Sequence, residues 1–441
     1  MEQSAKSEVS NFLHPREAFV SLEPDGAEGL GRDCSREFFR RFTHLTTNET
    51  AGERKDIMNA HHETSVKLKT RFSMGFVNRA AIAGILIPLL IVCFGILPLA
   101  RADRPRGGFV YVMTNQPAGN TVIQYERATN GHLTMLNEVA TGGMGFFAGA
   151  VDPLASADAL VANGDGSLLL AVNAGSNELS SLSVNGGLSM VSIVSSGGEF
   201  PNSVALHGDL VYVLNAHGTP NISGFTVDGS GTLTPIAGST VDLPGGASAD
   251  PHDIRFSPDG SRLLVTEGGT NQIDIFDIGD DGLVTNTTTQ PSAGMVPFGF
   301  VFGRGQVVAV TEAASASVST YRLTDDDMLQ TISASVQNGQ MATCWIAMTR
   351  TGHTFVSNTP SGTLSSYQTA ASGILNLLNP VAASQPGSAP IDMALSRDNR
   401  SLYVEDSANG LLLIFRVSGT TLRPAGTVEG LPTSLQGIVA R

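Results

Sequence analysis

Residues Pro251–Val284 read PHDIRFSPDGSRLLVTEGGTNQIDIFDIGDDGLV, a stretch that parses into four strand-length segments joined by turns. Ile254 and Phe256 alternate with polar neighbours, as a strand with one buried face does. Pro258-Asp259-Gly260 supplies a tight hairpin turn, because Asp bonds nearby backbone and Gly accepts positive φ. Leu263-Leu264-Val265 form a near-continuous apolar run, the mark of a strand buried on both faces. Ile273–Phe276 restores the alternation, and Asp280-Asp281-Gly282-Leu283 turns into a fourth, polar strand.

The same unit recurs through the chain from Gly107 to Arg441. Its anchor, a Pro-x-(Asp/Gly/Ser)-apolar step, stands at Pro201, Pro251, Pro297 and Pro390, with Ala157, Thr343 and Leu435 in the equivalent places. The position differences are 44, 50, 46, 46, 47 and 45 residues. A third-strand aromatic recurs at Tyr125, Phe225, Phe276, Tyr321, Tyr367 and Phe415, with Leu182 in the second unit. Four short strands at this period predict an all-β chain, a seven-bladed β-propeller. The first unit begins at Gly107 with its second strand, and the chain ends on Leu435–Ala440, which reads as a first strand with nothing after it. The C-terminal strand is therefore expected to complete the first blade and hide the free edges of the ring.

Three domains are expected: an extension over 1–79, a signal or anchor helix over 80–102, and the propeller over 103–441. Residues 80–100 (AAIAGILIPLLIVCFGILPLA) are an uncharged apolar run of 21, preceded by Lys67, Lys69, Arg71 and Arg79 and followed by Ala100-Arg101-Ala102. That is the layout of a secretory signal cleaved after Ala102. A run of this length also spans a bilayer, so the same residues can serve as a transmembrane anchor. Pro98 favours cleavage, since it breaks the helix just before the small-residue site. Signal peptides begin at a terminus, so translation from Met74 or Met58 would make 1–73 an annotation artefact; the other reading is a disordered tail. The propeller is expected to be secreted or periplasmic, or membrane-anchored if the segment is uncleaved.

Residues 103–441 hold 13 basic and 28 acidic side chains, so 13 − 28 gives −15, and all four lysines lie at or before Lys69. An acidic, lysine-free domain repels phosphate backbones, which argues against a nucleic-acid partner. It also excludes lysine Schiff-base chemistry there. Of Cys34, Cys93 and Cys344 only the last lies among the repeats, so they contain no internal disulfide. There is no G-x-S-x-G elbow, no H-E-x-x-H helix and no Cys/His cluster at zinc spacing.

Two rings of polar residues emerge from the register. An Asn or acid follows every second strand: Asn115, Asn173, Asn215, Glu267, Glu312, Asn358 and Asp406. Asn and Asp suit turn-holding, which Glu267 and Glu312 do less well. At the start of the innermost strands, facing the central channel, come Ser203, Asp253, Gly299, Trp345 and Asp392, with His252, Phe298 and Cys344 beside them. Carboxylates around one His can run general acid–base hydrolysis or hold a divalent cation such as Ca²⁺; either reading competes with a merely solvated channel rim.

Val110–Asn115 (VYVMTN), Val211–Asn215 (VYVLN) and Leu402–Asp406 (LYVED) resemble the YVTN β-propeller repeat. With PHDIRFSPDGSRLLVTE, the units are similar to the lactonase family of seven-bladed propellers, which includes propeller-type 6-phosphogluconolactonases and fungal carboxy-muconate cyclases. The resemblance implies a lactone or sugar-derived ligand at the channel. The family's Pro-His step matches Pro251-His252, whereas Glu267-Gly268-Gly269 stands where phosphogluconolactonases carry Asp-Leu-Gly and then basic residues. That departure argues against a phosphorylated sugar. The expected activity is hydrolysis of a neutral lactone or related ester. His252 would act as base, Asp253, Glu267 and Glu312 as polarising or metal-holding carboxylates, and Trp345, Asp392, Asn215 and Ser203 as ligand contacts. The competing class is a non-catalytic propeller that binds a ligand or an envelope or extracellular protein. A muconate-type cycloisomerase, third, needs a cationic pocket.

Overall fold

The computed structural model describes residues 106–441; the expected 1–79 extension and the 80–102 signal or anchor segment lie outside the described residues. Seven antiparallel sheets form the ring, six of four strands and one of five, in which the short strand Val241–Asp242 is added to blade three. In blade one Ile438–Ala440 pairs with Arg106–Met113 so that Val110 faces Ala440 and Val112 faces Ile438.

Exposure falls toward the axis for the reason the apolar pattern gives. In blade four the second strand, Arg262–Glu267, is buried beyond its first residue, while the outermost, Val284–Pro291, is largely accessible. The turn at Pro258–Gly260 is fixed by Asp259: its carboxylate accepts from Ser257 Oγ at 2.5 Å and from the Ser261 amide at 3.2 Å, and Gly260 takes φ 76°. Those bonds hold the Asp259 carboxyl down at about 2.

The blades are also stitched to one another. Tyr212 Oη donates to the Gly282 carbonyl of the next blade at 2.7 Å, and Tyr403 Oη to Gly131 O at 3.0 Å. These are the tyrosines of the repeated second-strand motif, which therefore bury a large ring and anchor the neighbour's outer turn at once.

Strand order gives the ring two unlike faces. Each innermost strand starts at the upper face and ends at the lower, so the turns joining strands one to two and three to four all fall below. The links from one blade to the next cross the upper face. Six of these are three to nine residues long; the link from blade one to blade two, residues 141–159, is nineteen.

Candidate functional site

The wall of the channel is made by the innermost strands, each packed on the next around a full circle. From blade four come His252, Asp253 and Arg255. Arg255 donates from Nε to Asp253 Oδ2 at 3.1 Å and from Nη2 to Asp158 Oδ2 at 2.9 Å. Asp253 Oδ2 accepts a further bond, from the Phe300 amide at 2.9 Å, while its Oδ1 is buried with no partner. Side-chain exposure rises from zero at Asp253 to 23% at Asp158 and 28% at Arg255, so the guanidinium is the accessible member of the set.

Three more carboxyls surround this pair. Burial pushes Asp392 up to about 7 against the pull of its hydrogen bond from the Met393 amide and of the Arg255 charge, with Asp253 and Asp152 adding to the rise. Burial likewise lifts Asp152 to about 7 although Gln436 Nε2 donates to it at 2.7 Å. Glu405 is raised by burial and then by the Asp392 charge, and one of its oxygens is unpartnered. Asp158 and Asp253 are also raised, burial leading in both, with Arg255 opposing. Arg255 thus faces three acids, Asp158, Asp253 and Asp392, while Asp152 and Glu405 act on the set through Asp392; buried carboxyls this close oppose one another's ionisation.

His252 is buried, and its Nδ1 lies 2.6 Å from the Ala155 carbonyl. A carbonyl only accepts, so Nδ1 carries a proton, and in the neutral form of the ring the lone pair is on Nε2. Nε2 is buried without a partner and faces Gly268, where an added Cβ would meet it at 2.2 Å. The ring stacks on Phe298 at 4.3 Å, and Phe298 meets Trp345 edge-on at 4.9 Å.

The long link of the upper face closes this mouth. Ser156 O accepts from Trp345 Nε1 at 2.9 Å and Gln436 Nε2 at 2.7 Å; Ser156 Oγ donates to Asn202 O at 2.7 Å. The Ala157 amide bonds His252 O at 3.0 Å, the Leu154 amide bonds Gln436 Oε1 at 2.8 Å, and Ser407 Oγ bonds Val151 O. Residues 151–157 form a plug tied to blades three, four, six, seven and one. Ala155 and Asp158 hold positive φ, 51° and 56°, a conformation that L-residues adopt only when their surroundings demand it.

The eight residues singled out from sequence divide into two groups. His252, Asp253, Trp345 and Asp392 meet at the plugged channel, and Ser203 joins them through its Oγ, which accepts from the Ile254 amide at 3.3 Å. Glu267, Glu312 and Asn215 are taken up inside their own blades. Glu312 accepts from Ser292, Ser317 and Ser319 hydroxyls at 3.1, 2.6 and 2.6 Å. Glu267 accepts from the Gly245 amide and Thr270 Oγ1, and it helps burial drive the Asp274 carboxyl up to about 8. Asn215 Nδ2 donates to Ser196 O and Asn221 Oδ1.

Sequence reading missed Asp152, Asp158, Glu405 and Gln436. The excess length of residues 141–159 was the available signal for the plug. Among the described residues no three His, Cys, Asp or Glu side chains converge as metal ligands. In the channel the Arg255 charge stands among the acids where a divalent cation would sit, so this set does not fit Ca²⁺.

A family profile described as "Lactonase, 7-bladed beta-propeller" matches residues 102–248 and 222–345, which together cover more than half of the chain. The chain belongs to the lactonase family. Among solved structures, this lactonase-family propeller is similar to one from Bacteroides fragilis described as a putative 6-phosphogluconolactonase. That likeness has a TM-score of 0.61 at 18% identity, over 75% of this chain and 98% of the other. It is also similar to a periplasmic gluconolactonase from Pseudomonas aeruginosa, with a TM-score of 0.57 at 17% identity, over 75% and 99%. At such identities the likeness establishes the shared propeller fold. No match is found among curated proteins.

Proposed function

We propose that this lactonase-family propeller is an exported, or membrane-anchored, hydrolase of a neutral lactone or related ester, with the ring held shut by its C-terminal strand. The observation that supports it is the channel cluster: a partly accessible Arg255 bracketed by Asp158 and Asp253, beside Asp392 and Asp152 whose carboxyls sit near neutrality. Acid–base catalysis is most effective when the catalytic pKa lies near the working pH. An ionised carboxylate of the cluster takes a proton from water, and the resulting hydroxide adds to the lactone carbonyl. Arg255 is placed to stabilise the oxyanion. A protonated carboxyl, for which the raised Asp392 is the candidate, returns a proton to the ring oxygen as the C–O bond breaks, giving the hydroxy acid. His252 holds the plug through Ala155 and offers Nε2 as a second acceptor.

A non-catalytic binding propeller is the second reading. It is favoured by the plug, which closes the upper mouth, and by Glu267 and Glu312, which are consumed in turns. A panel of γ- and δ-lactones, followed by proton release with the full chain, separates the two. Hydrolysis lost in Arg255→Met and Asp392→Asn, with folding retained, supports the enzyme. No hydrolysis of any lactone by the unaltered chain decides for the binding propeller.

A further inference from the structure

The net charge of the described domain resides on one face. By strand register every one of the twelve arginines in 106–441 belongs to the lower half of the ring, at strand ends and turns below, and the Arg255 guanidinium reaches up from there to Asp158. Fifteen of the twenty-seven acids in that range lie in the upper half and twelve in the lower, so the upper face carries the whole imbalance.

The lower face is itself divided. Blades two to five place four arginines there against ten acids, 4 − 10 giving −6; blades six, seven and one place eight against two, 8 − 2 giving +6. Arg350, Arg397, Arg400, Arg416 and Arg423 are exposed in this sector. The arginine–carboxylate bridges of the described residues use Arg127, Arg255 and Arg262 and none of these five.

Like charges also crowd together here. Arg416 stands opposite Arg423 across the two outermost strands of blade seven, an arrangement that costs stability in an isolated sheet. Arg397 lies close enough to Arg441 to help burial lower its pKa. A sector with five exposed arginines outside those bridges, and with like charges crowded within it, calls for an external polyanion.

The chain also leaves the ring at this sector. Blade one starts at Arg106 on the lower face, and the apolar run 80–100 is only a few residues upstream, with Arg101 and Arg104 between. We propose that the lower face of blades six, seven and one rests on a bilayer bearing anionic phospholipid headgroups. The apolar run holds the chain to that bilayer and the arginine sector fixes how the ring sits on it. The −6 sector of blades two to five is repelled, so the ring tilts and that side of the lower mouth stays open to solvent.

The test is hydrogen exchange of the full chain, with residues 80–100 retained, in lipid nanodiscs of phosphatidylcholine alone or with phosphatidylglycerol. Amides of turns 349–352 and 396–401 should slow several-fold only with phosphatidylglycerol, while turns 207–210 and 257–262 should not change. The slowing should vanish in high salt and in R350E/R397E/R400E, since each arginine near an anionic surface strengthens attraction by roughly fivefold. The proposal is overturned by equal exchange on the two lipid mixtures, by slowing of both pairs of turns, by slowing that survives in the triple variant, or by a chain that does not join the discs.

Discussion

Gln436 donates to the carboxylate of Asp152 at 2.7 Å across 284 residues of sequence, and so ties the last segment of the chain to the plug over the channel. The same amide serves Ser156 O and accepts from the Leu154 backbone, so one side chain satisfies three groups that burial would otherwise leave unpaired. Gln436→Leu should therefore cost about 2–4 kcal/mol, the penalty for orphaning two or more buried polar groups. Urea unfolding measures the loss, and hydrogen exchange should speed up first at residues 151–157. An unchanged midpoint with an unchanged plug would show that the plug is held without it.

The same carboxyls make stability depend on pH in an uncommon direction. Asp392 and Asp152 rise from an ordinary 3.8 to about 7 in the folded chain. A raised folded value means that the folded state binds the proton more tightly. That contribution is complete below about 3.8 and is lost as pH climbs toward and through 7. At 1.36 kcal/mol per pH unit it amounts to at most about 4 kcal/mol for either group. Asp392→Asn removes one titration. The variant should gain on the unaltered chain as pH is raised from 4 to 8, as read by Tm at each pH; parallel curves would contradict the burial argument.

Closure of the ring can be probed at its three-residue C-terminal strand. Ile438–Ala440 covers the edge of Arg106–Met113, and Val439 and Ile438 are buried on either side of it. Removing 434–441 uncovers an edge strand rich in Val and Tyr, and exposed edges recruit other chains. The truncated protein should aggregate or lose cooperative unfolding in size-exclusion and thermal measurements. A monomer that melts as before would refute this closure.

The fold was legible because it is periodic. Seven equivalent anchor positions, four of them proline, and a third-strand aromatic in six of the seven units report the same local physics again and again, so chance matches cancel. The channel was half legible for the complementary reason. His252, Asp253, Trp345 and Asp392 sit at repeat positions whose orientation the register dictates. Asp152, by contrast, comes from the one link that breaks the period, and Gln436 acts through a contact 284 residues away. Glu267 and Glu312 show the opposite error. Glutamate is a poor partner for its own turn, yet three serines of the blade and neighbouring link satisfy Glu312, a contact set that sequence spacing does not reveal.

That distinction yields a paired prediction. Glu312→Gln puts an amide NH₂ before hydroxyls that donate to a carboxylate, which weakens charge-assisted bonds and should cost about 1–3 kcal/mol. Because Glu312 lies outside the channel cluster, any lactone hydrolysis should persist within about twofold, less than the tenfold that 1.36 kcal/mol of barrier represents. Arg255→Met removes the guanidinium that bridges Asp158 and Asp253, so it should lower stability and abolish hydrolysis together. Combining it with Asp253→Asn and Asp158→Asn removes the uncompensated charges and should return the stability but not the activity. Thermal unfolding and initial rates on the three proteins decide the matter: activity lost in Glu312→Gln, or regained in the triple variant, would remove Arg255 from the chemistry.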